Sequence, residues 1–364
     1  MEAWASRHAG IWTVVAPVPY FPHLPVPTSW DGYAKVPREE KLGTWRVLHP
    51  RYFMVPKVGT RLQGTSMAWF SMRNVKKFIN DDNCFDLIDA HYVYPDGYAA
   101  LKVAKGLGVP LVVSARGTDI NLYPNLPGIR KKVRKVLRRA DAIVGVSQAL
   151  IDSMIELGAP AKRCHLIPNG VDLRAFHPLD GVNSGRPIRR LLAVGNLKPE
   201  KGFFSLLEAM KILKSEHPDL LLSIVGSGSE ETRLRAKCGQ LGMQQHVSFL
   251  GAIPHSKMPE YYRRVDVFCL SSLREGCPNV IMEALATGIP IAATPVGGVP
   301  ELVRDGANGF LANNHSPQAI ADAIARVLER VWDPHEIRQT VKGRSWEKVA
   351  DEIQKVFEDV VLRK

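Results

Sequence analysis

Short apolar runs alternate with glycine turns and helical patterns along most of the chain. Each run is rich in aliphatic or β-branched residues and is followed by turn formers, which is typical of a buried strand. The runs lie at 11–19, 85–91, 109–117, 141–147, 165–172, 189–195, 220–226, 247–251, 265–272 and 289–294. Strands that alternate with helices over short connections predict an α/β protein with parallel, doubly wound sheets.

The composition is that of a globular protein with room for two domains. The chain has 364 residues, of which 45% are apolar and 23% charged. None of its five cysteines forms a C-x-x-C pair, which favours a reducing cytosol; they are Cys84, Cys164, Cys238, Cys269 and Cys277. No apolar run approaches a membrane span and no export pattern is visible, so a cytoplasmic location is expected.

The positive charge is concentrated in the first half of the chain. Of the net charge of +12, residues 1–178 carry +10. Much of this excess lies in 129–139, where apolar residues recur at helical spacing and cations fill the other face. Such a face is either solvated or docks on an anionic membrane surface. Nucleic acid ranks last because the sequence has no zinc finger and no RNA-binding motif.

The segment 265–288 combines a buried strand, a loop and the start of a helix. Pro278 suits a first helical turn, so the helix should begin near Asn279. The first backbone N–H groups of that helix would point at an anion. Glu275 before the helix and Glu283 one turn inside it could hold hydroxyl groups on either side of a bound phosphate. A sugar nucleotide has that order of parts, although such carboxylate pairs also occur on solvated surfaces.

The spacing of these two carboxylates resembles a family signature. Glu275 and Glu283 enclose seven residues, as in the E-x7-E motif of the family 4 retaining glycosyltransferases. The sequence ATPVGGVPELVRDGANGFL at 293–311 is similar to that family's continuation. The stretch 49–57 is similar to members of the polysaccharide and teichuronic acid biosynthesis type. The resemblance covers nearly all residues from 11 to 357 and implies the GT-B fold, with two facing Rossmann-like domains.

The resemblance also implies a division of the chain. Residues 1–178 would form the acceptor-side domain, 179–187 a linker and 188–344 the nucleotide-sugar-binding domain. Residues 345–364 would form a last helix that crosses back to the first domain. The strand 11–19 is similar to the family's second strand, so the first domain is expected to lack its first strand and acceptor loop, as in a truncated chain.

A glycine turn with lysines follows the strand at 189–195, an arrangement that can cradle phosphate. In the resembled family this turn carries an arginine and a lysine that hold the nucleotide diphosphate. Lys201 fits this pattern and Asn196 does not, so either Lys198 supplies the second charge or Asn196 hydrogen-bonds a phosphate at lower strength. The resemblance implies further donor contacts by Gly195, Gly226, Gly228, Ile253, Asn279 and Val280, with Glu283 on the ribose and Glu275 on the sugar.

His91, Arg116 and Asp119 stand at the C-terminal ends of predicted strands, where parallel sheets bind ligands. His91 is either a structural histidine or a ligand contact, and Arg116 and Asp119 could instead form a surface ion pair. Many members of the resembled family have a histidine at the position of Arg116, thought to face the donor sugar. Arginine cannot act as a base, but it can bind phosphate or carboxylate. Nearness to substrate is therefore expected for His91 and Arg116.

Together these features predict a hexosyltransferase that needs neither a metal nor a cofactor. It would move a sugar from a nucleotide sugar, most simply UDP-linked, to a polysaccharide or a lipid-linked glycan. Lys201 and the helix beginning at Asn279 would stabilise the charge that develops on the departing diphosphate. The alternatives are a non-catalytic or impaired nucleotide-sugar-binding protein and a nucleotide-sugar epimerase on the same fold.

Overall fold

The computed structural model describes residues 12–20, 31–43, 45–54, 59–75, 85–179 and 189–363. The chain divides into two compact units. The first comprises Met1–Ile167 and Ala350–Lys364, and the second comprises Pro168–Val349. No helix in the described part of the chain is both long and apolar enough to cross a bilayer.

The first unit contains a parallel sheet of four strands and two smaller sheets. The parallel sheet has the order β6-β7-β8-β9, and the smaller ones have the orders β1-β4-β3 and β2-β5. The strands are β1 Thr13–Val15, β2 Val18–Tyr20, β3 Glu39–Leu42, β4 Trp45–Leu48, β5 Arg51–Phe53, β6 Ile88–His91, β7 Leu111–Ala115, β8 Ala142–Gly145 and β9 Cys164–Leu166.

The strand predicted at 11–19 is interrupted by a proline. It forms β1, which pairs with β4, and β2, which pairs with β5, both in parallel. Pro17 lies at the break and has no N–H to donate to a ladder. The N–H groups of Ala16 and Val18 still donate across it, to Leu48 at 2.8 Å and Pro50 at 3.0 Å. Residue 11 of this predicted strand and residues 55–57 of the stretch 49–57 lie outside the described residues.

In the first unit, helices alternate with β6 to β9 as expected, whereas β3, β4 and β5 follow one another without a helix and β3 pairs with β4 in antiparallel. The predicted basic helix is present and buries Val133, Val136 and Leu137. The helices are α1 Asp31–Ala34, α2 Thr60–Val75, α3 Tyr98–Leu107, α4 Thr118–Asn121, α5 Arg130–Arg139 and α6 Gln148–Glu156.

The second unit is built on one parallel sheet of six strands. Its order is β12-β11-β10-β13-β14-β15, so the strand order reverses between β10 and β13. This confirms the predicted doubly wound sheet, and ligands bind at such a reversal in this class of fold. The strands are β10 Arg190–Val194, β11 Leu221–Val225, β12 Val247–Gly251, β13 Val267–Leu270, β14 Ile291–Ala293 and β15 Gly309–Leu311.

Alternate residues of these strands face two separate apolar layers. Leu191 of β10 and Cys269 of β13 belong to one layer, while Leu192 and Phe268 belong to the other. Successive side chains of a strand point to opposite faces, so helices must cover both. These helices are α7 Phe203–Leu213, α8 Glu231–Gln240, α9 Met258–Tyr262, α10 Asn279–Ala286, α11 Val299–Leu302, α12 Pro317–Leu328 and α13 Pro334–Gln339.

The second unit begins earlier than the domain predicted at 188–344. Phe176 is 1% exposed within one of its apolar layers. Arg338 donates to the carbonyl oxygens of Phe176 and Leu173, at 2.6 and 2.8 Å. These contacts tie the end of the segment 1–178 to the second unit, where the sequence showed only a turn. Apart from Leu179, the linker proposed at 179–187 lies outside the described residues.

The last helix occupies the predicted part of the chain. It is α14 Trp346–Leu362, and the division into units assigns Ala350–Lys364 to the first unit. Within that unit the rings of Phe357 and Trp12 lie 6.4 Å apart, which packs the helix beside the start of β1.

Candidate functional site

Two of the predicted site residues of the second unit contact each other directly. Lys201 Nζ lies 2.6 Å from Glu275 Oε1, and the hydroxyl of Ser272 donates to the same oxygen at 2.6 Å. The Glu275 side chain is only 10% exposed and that of Lys201 is 26% exposed. The carboxylate therefore fixes the ammonium group and compensates its charge.

Backbone contacts between the loops after β10 and β13 hold this pair. Gly202 has φ 65° and approaches the carbonyl of Ser271 so closely that a Cβ would collide with it. The Ser271 hydroxyl donates to the Lys201 carbonyl at 3.0 Å, and the N–H of Leu273 donates to the Glu200 carbonyl at 2.8 Å. Neighbouring parallel strands thus bring Lys201 and Glu275 together, although they are 74 residues apart in sequence.

The three glycines predicted to line the donor site allow turns to approach each other. Gly226 has φ 137°, and a Cβ there would collide with the carbonyl oxygen of Gly195. A Cβ on Gly228 would collide with the backbone of Leu197. The N–H groups of Gly195 and Gly226 donate to the carbonyls of Val225 and Gly251, at 3.0 and 2.8 Å. These glycines shape the C-terminal edge of the sheet, and the N–H groups of Gly195 and Gly226 bond within the protein.

The remaining residues of the first turn are on the surface. Asn196 and Lys198 are both exposed, and the Lys198 N–H donates to the Asn196 carbonyl at 2.8 Å. Lys198 precedes a short 3₁₀ turn, Pro199–Lys201, which ends in Gly202. Lys198 lies three residues before Lys201, so the turn carries two lysines.

Glu283 is held from two sides. Its Oε2 accepts a hydrogen bond from the hydroxyl of Tyr262 at 2.8 Å, and its Oε1 lies 3.0 Å from His255 Nε2. Tyr262 is fully buried, whereas the His255 side chain is 71% exposed. Burial, reinforced by the neighbouring Glu283 charge, raises the pKa of Tyr262 well above its usual value. The phenol therefore stays protonated and orients the carboxylate.

The predicted base-binding turn adjoins Glu283. Ile253 is partly buried and packs against the apolar layer that contains Tyr262, two residues before His255. The His255 ring lies 5.5 Å from that of Phe176. The turn after β12 and the middle of α10 thus form one edge of the site.

Helix α10 begins at Asn279, as the sequence predicts. The extended residue Pro278 precedes it, and the first-turn N–H groups of a helix, here those of Asn279 and Val280, have no intrahelical acceptor. Asn169 Nδ2 donates to the Cys277 carbonyl at 3.2 Å and to Asn279 Oδ1 at 2.8 Å. Burial raises the pKa of the Cys277 thiol to about 11, so this cysteine is protonated at neutral pH.

The glycine pair in the continuation of the motif supports the Glu275 loop. The N–H of Gly298 donates to the Gly276 carbonyl at 2.8 Å. Gly297 has φ 52° and lies against the Glu275 carbonyl, where a Cβ would collide. The turn at 296–299 therefore determines where the loop before α10 can lie.

In the first unit, the predicted residues at the ends of β6 and β7 form a second cluster. An Arg116 NH2 group lies 2.6 Å from His91 Nδ1, and His91 Nε2 lies 3.0 Å from Asp89 Oδ2. A neutral imidazole suits both contacts, because Nε2–H can donate to Asp89 while Nδ1 accepts from Arg116. The His91 side chain is 48% exposed.

Asp119 is a structural residue in this cluster. It is fully buried, and its carboxylate accepts the N–H groups of Val93 at 2.7 Å, Arg116 at 3.0 Å and Gly117 at 2.9 Å. The carboxylate thus fixes the backbone that carries Arg116 after β7. This arrangement differs from the exposed pair that the sequence left open, because Asp119 lies inside the turn.

Three further residues were not singled out from the sequence. Tyr262 and His255 bind Glu283 from segments 21 and 28 residues away, and no local motif indicates those contacts. Asp96 follows β6, and burial raises the pKa of its carboxyl to about 6. The sequence could have indicated Asp96, because it lies in the turn with a proline and a glycine that follows the strand ending in His91.

Comparison with known proteins identifies related sequences for both halves of the chain. Residues 186–344 match the family model "Glycosyl transferases group 1", and residues 30–175 match "Glycosyltransferase Family 4". A putative teichuronic acid biosynthesis glycosyltransferase of Bacillus subtilis, TuaC, is 31% identical over 71% of this chain and 66% of its own length. A D-inositol 3-phosphate glycosyltransferase of Acidothermus cellulolyticus is 30% identical over 77% of this chain and 68% of its own length.

A solved structure shows the same fold. The Anabaena protein Alr3699/HepE in complex with UDP-glucose aligns with a TM-score of 0.68 at 22% identity, covering 86% of this chain and 85% of that one. The chain spans about two thirds of the length of the curated relatives that it matches. The chain has two α/β units that contain parallel sheets, it matches both family models, and it is 30% identical to a relative of which it covers 68%. The chain therefore belongs to the family 4 glycosyltransferases of GT-B fold.

Proposed function

We propose that the chain transfers a sugar, with retention of its anomeric configuration, from a UDP-linked donor to a growing polysaccharide or a lipid-linked glycan precursor. The name of the TuaC relative, a putative teichuronic acid biosynthesis glycosyltransferase, supports a polysaccharide acceptor. The UDP-glucose in the Anabaena structure supports a UDP-linked donor. The observation that carries the proposal is the environment of Glu283, a buried carboxylate held by the Tyr262 hydroxyl.

Glu283 is suited to hold the ribose of the donor. Tyr262 fixes one carboxylate oxygen from the buried side, and the other oxygen faces the exposed ring of His255. A carboxylate oxygen accepts more than one hydrogen bond, so ribose hydroxyls can share or replace the His255 contact. The neighbouring Ile253 turn then receives the base.

Lys201 and the first turn of α10 are suited to the diphosphate. An ammonium group has three donors, so Lys201 can bind Glu275 and still donate to phosphate oxygens. The N–H groups of Asn279 and Val280 add the positive end of a helix dipole. Both stabilise the charge that develops when the bond from sugar to phosphate breaks. Glu275 orients Lys201 and contacts the sugar.

We propose that His91 and Arg116 contact a bound sugar at the C-terminal strand ends of the first unit. Arg116, which contacts His91, places a planar guanidinium group with several donors at the end of β7.

All described cysteines are free thiols, namely Cys164, Cys238, Cys269 and Cys277. This supports a reducing, cytoplasmic location.

Product analysis tests this function. The chain is incubated with UDP-glucose, UDP-N-acetylglucosamine, UDP-glucuronic acid and GDP-mannose, each with a lipid-linked glycan fraction. We expect UDP release with one UDP-sugar and an axial anomeric linkage by NMR. Binding without turnover would favour the non-catalytic alternative, and conversion of the free donor to its epimer would favour the epimerase.

A further inference from the structure

Helix α2 of the first unit exposes large apolar side chains along one stripe. Leu62 is 69% exposed and Trp69 is 61% exposed, and they lie seven residues apart, which places them on the same face of a helix. Ser66 lies between them on that face, and its hydroxyl donates to the Phe53 carbonyl at 2.7 Å. The stripe therefore adjoins the end of β5.

The end of β5 extends the exposed apolar surface. Phe53 is 47% exposed, and its strand partner Tyr20 at the end of β2 is 44% exposed. Two aromatic rings thus lie beside the stripe of α2. Large apolar side chains that are exposed near one another are typical of a binding surface.

The basic helix α5 lies next to the start of α2. Lys132 Nζ donates to the carbonyl oxygen of Arg61 and lies 5.1 Å from the centre of the Tyr98 ring on α3. Helix α3 packs against both α2 and α5, so the three helices form one layer. The exposed cations of α5 are Arg130, Lys131, Arg134, Lys135, Arg138 and Arg139.

The charge of this layer is one-sided. Neither α2 nor α5 contains an acidic residue, and α2 adds Arg61 and Arg73 to the cations of α5. Cations beside exposed leucine, tryptophan, tyrosine and phenylalanine side chains are the combination that suits an anionic bilayer surface. The apolar residues would enter the acyl boundary while the cations meet the headgroups. A solvated basic helix alone would not require the apolar stripe.

We propose that α2, α5 and the end of β5 form a surface that docks the first unit on anionic lipid. This surface extends the sequence hypothesis for 130–139, since apolar insertion by Leu62 and Trp69 accompanies charge attraction by α5. The inference does not depend on the donor chemistry, because lipid binding is measured without UDP-sugar.

Vesicle sedimentation tests the proposal with two pairs of variants. Leu62→Ser/Trp69→Ser is compared with Val331→Ser, an apolar side chain of the second unit that is 94% exposed. Lys131→Gln/Lys135→Gln is compared with Lys211→Gln/Lys342→Gln, which are exposed lysines of the second unit. Each protein is mixed with vesicles of phosphatidylcholine alone or with added phosphatidylglycerol, at low and high salt.

The parent chain should bind the phosphatidylglycerol vesicles and should bind phosphatidylcholine alone far more weakly. The loss for Lys131→Gln/Lys135→Gln should be roughly fivefold per cation and should shrink at high salt. The loss for Leu62→Ser/Trp69→Ser should exceed about tenfold at either salt concentration. Both controls should bind as the parent does, and circular dichroism should show every variant folded.

Equal binding of the parent to both kinds of vesicle would overturn the proposal, as would unchanged binding by Leu62→Ser/Trp69→Ser. Light scattering gives a second way to contradict it. If the parent forms dimers that Leu62→Ser/Trp69→Ser abolishes, a second copy of the chain occupies this surface instead of lipid.

Discussion

The predicted ligand-binding side chains at the strand ends of the two units differ in how firmly they are held. In the second unit, Glu275 and Glu283 have side chains 10% and 11% exposed, and each is bonded to a neighbouring hydroxyl. In the first unit, His91 is 48% exposed and its ring contacts other charged side chains. Buried, bonded carboxylates are pre-organised to bind a ligand, whereas exposed groups can adapt to different ones. This difference is consistent with the rigid donor site that the proposed function places in the second unit.

The largest expected effect is the loss of Lys201. Lys201→Ala should lower turnover about 100- to 1000-fold, because removing one electrostatic stabiliser from a transition state costs roughly 2.7 to 4 kcal/mol. Lys198→Ala, on the same turn but exposed, should lose far less. Initial rates of UDP release give the comparison, and circular dichroism checks folding. Equal losses would mean that the two lysines share the charge.

The hydroxyl of Tyr262 should matter more than the imidazole of His255. Tyr262→Phe leaves a buried carboxylate oxygen short of a donor and should weaken UDP binding about tenfold. His255→Ala removes an exposed contact and should change affinity less than about threefold. Fluorescence titration with UDP measures both. A larger effect for His255→Ala would mean that the exposed side, rather than the buried side, positions Glu283.

Asp96 should make the first unit less stable as the pH rises. Burial raises the pKa of its carboxyl from 3.8 to about 6, so the folded state binds the proton more tightly than the unfolded state does. Stability should therefore fall between about pH 4 and pH 6, and Asp96→Asn should remove that loss. At pH 7 we expect Asp96→Asn to be more stable by about 3 kcal/mol. Urea unfolding at pH 4 and pH 7 measures the difference, and a variant less stable than the parent at pH 7 would contradict it.

A smaller effect should come from the pair at the end of β6, in which the His91 and Asp89 side chains are 48% and 21% exposed. Asp89 lies 3.0 Å from His91, and Asp89→Asn should change stability by no more than about 1 kcal/mol, since partly exposed ion pairs contribute little. Thermal unfolding of Asp89→Asn beside Asp152→Asn, an exposed aspartate of α6, measures it. A much larger loss would show that the His91 cluster is part of the core.

The sequence predicts the elements of the second unit well because they are local patterns. The start of α10 at Asn279 follows from Pro278 and the apolar run after it, and the strands follow from short runs between turns. The bond between Tyr262 and Glu283 could not be predicted, because it joins residues on two helices 21 positions apart. The pairing of Lys201 with Glu275 likewise depends on β10 and β13 being neighbours in the sheet.

In the first unit, the sequence predicts β6 to β9 and the run that becomes β1 and β2, but it predicts neither the strands at 39–48 nor the exposed surface. The break at Pro17 follows from its missing N–H, but the exposure of Leu62 and Trp69 does not follow from their spacing. The apolar residues of α2 are interspersed with polar ones, so the sequence alone does not show which face of this helix is buried. Only the packing of α2 against α3 decides which face is covered.

Calorimetric titration with UDP tests most directly whether Glu283 holds the donor. The parent, Glu283→Gln and Glu329→Gln, an exposed glutamate of the second unit, are compared at the same pH and salt concentration. Losing a hydrogen bond to a charged group costs about 1.5 to 3 kcal/mol, so Glu283→Gln should bind UDP about 10- to 100-fold more weakly. Glu329→Gln should bind as the parent does. A Glu283→Gln protein that is folded and binds UDP as tightly as the parent would contradict the account.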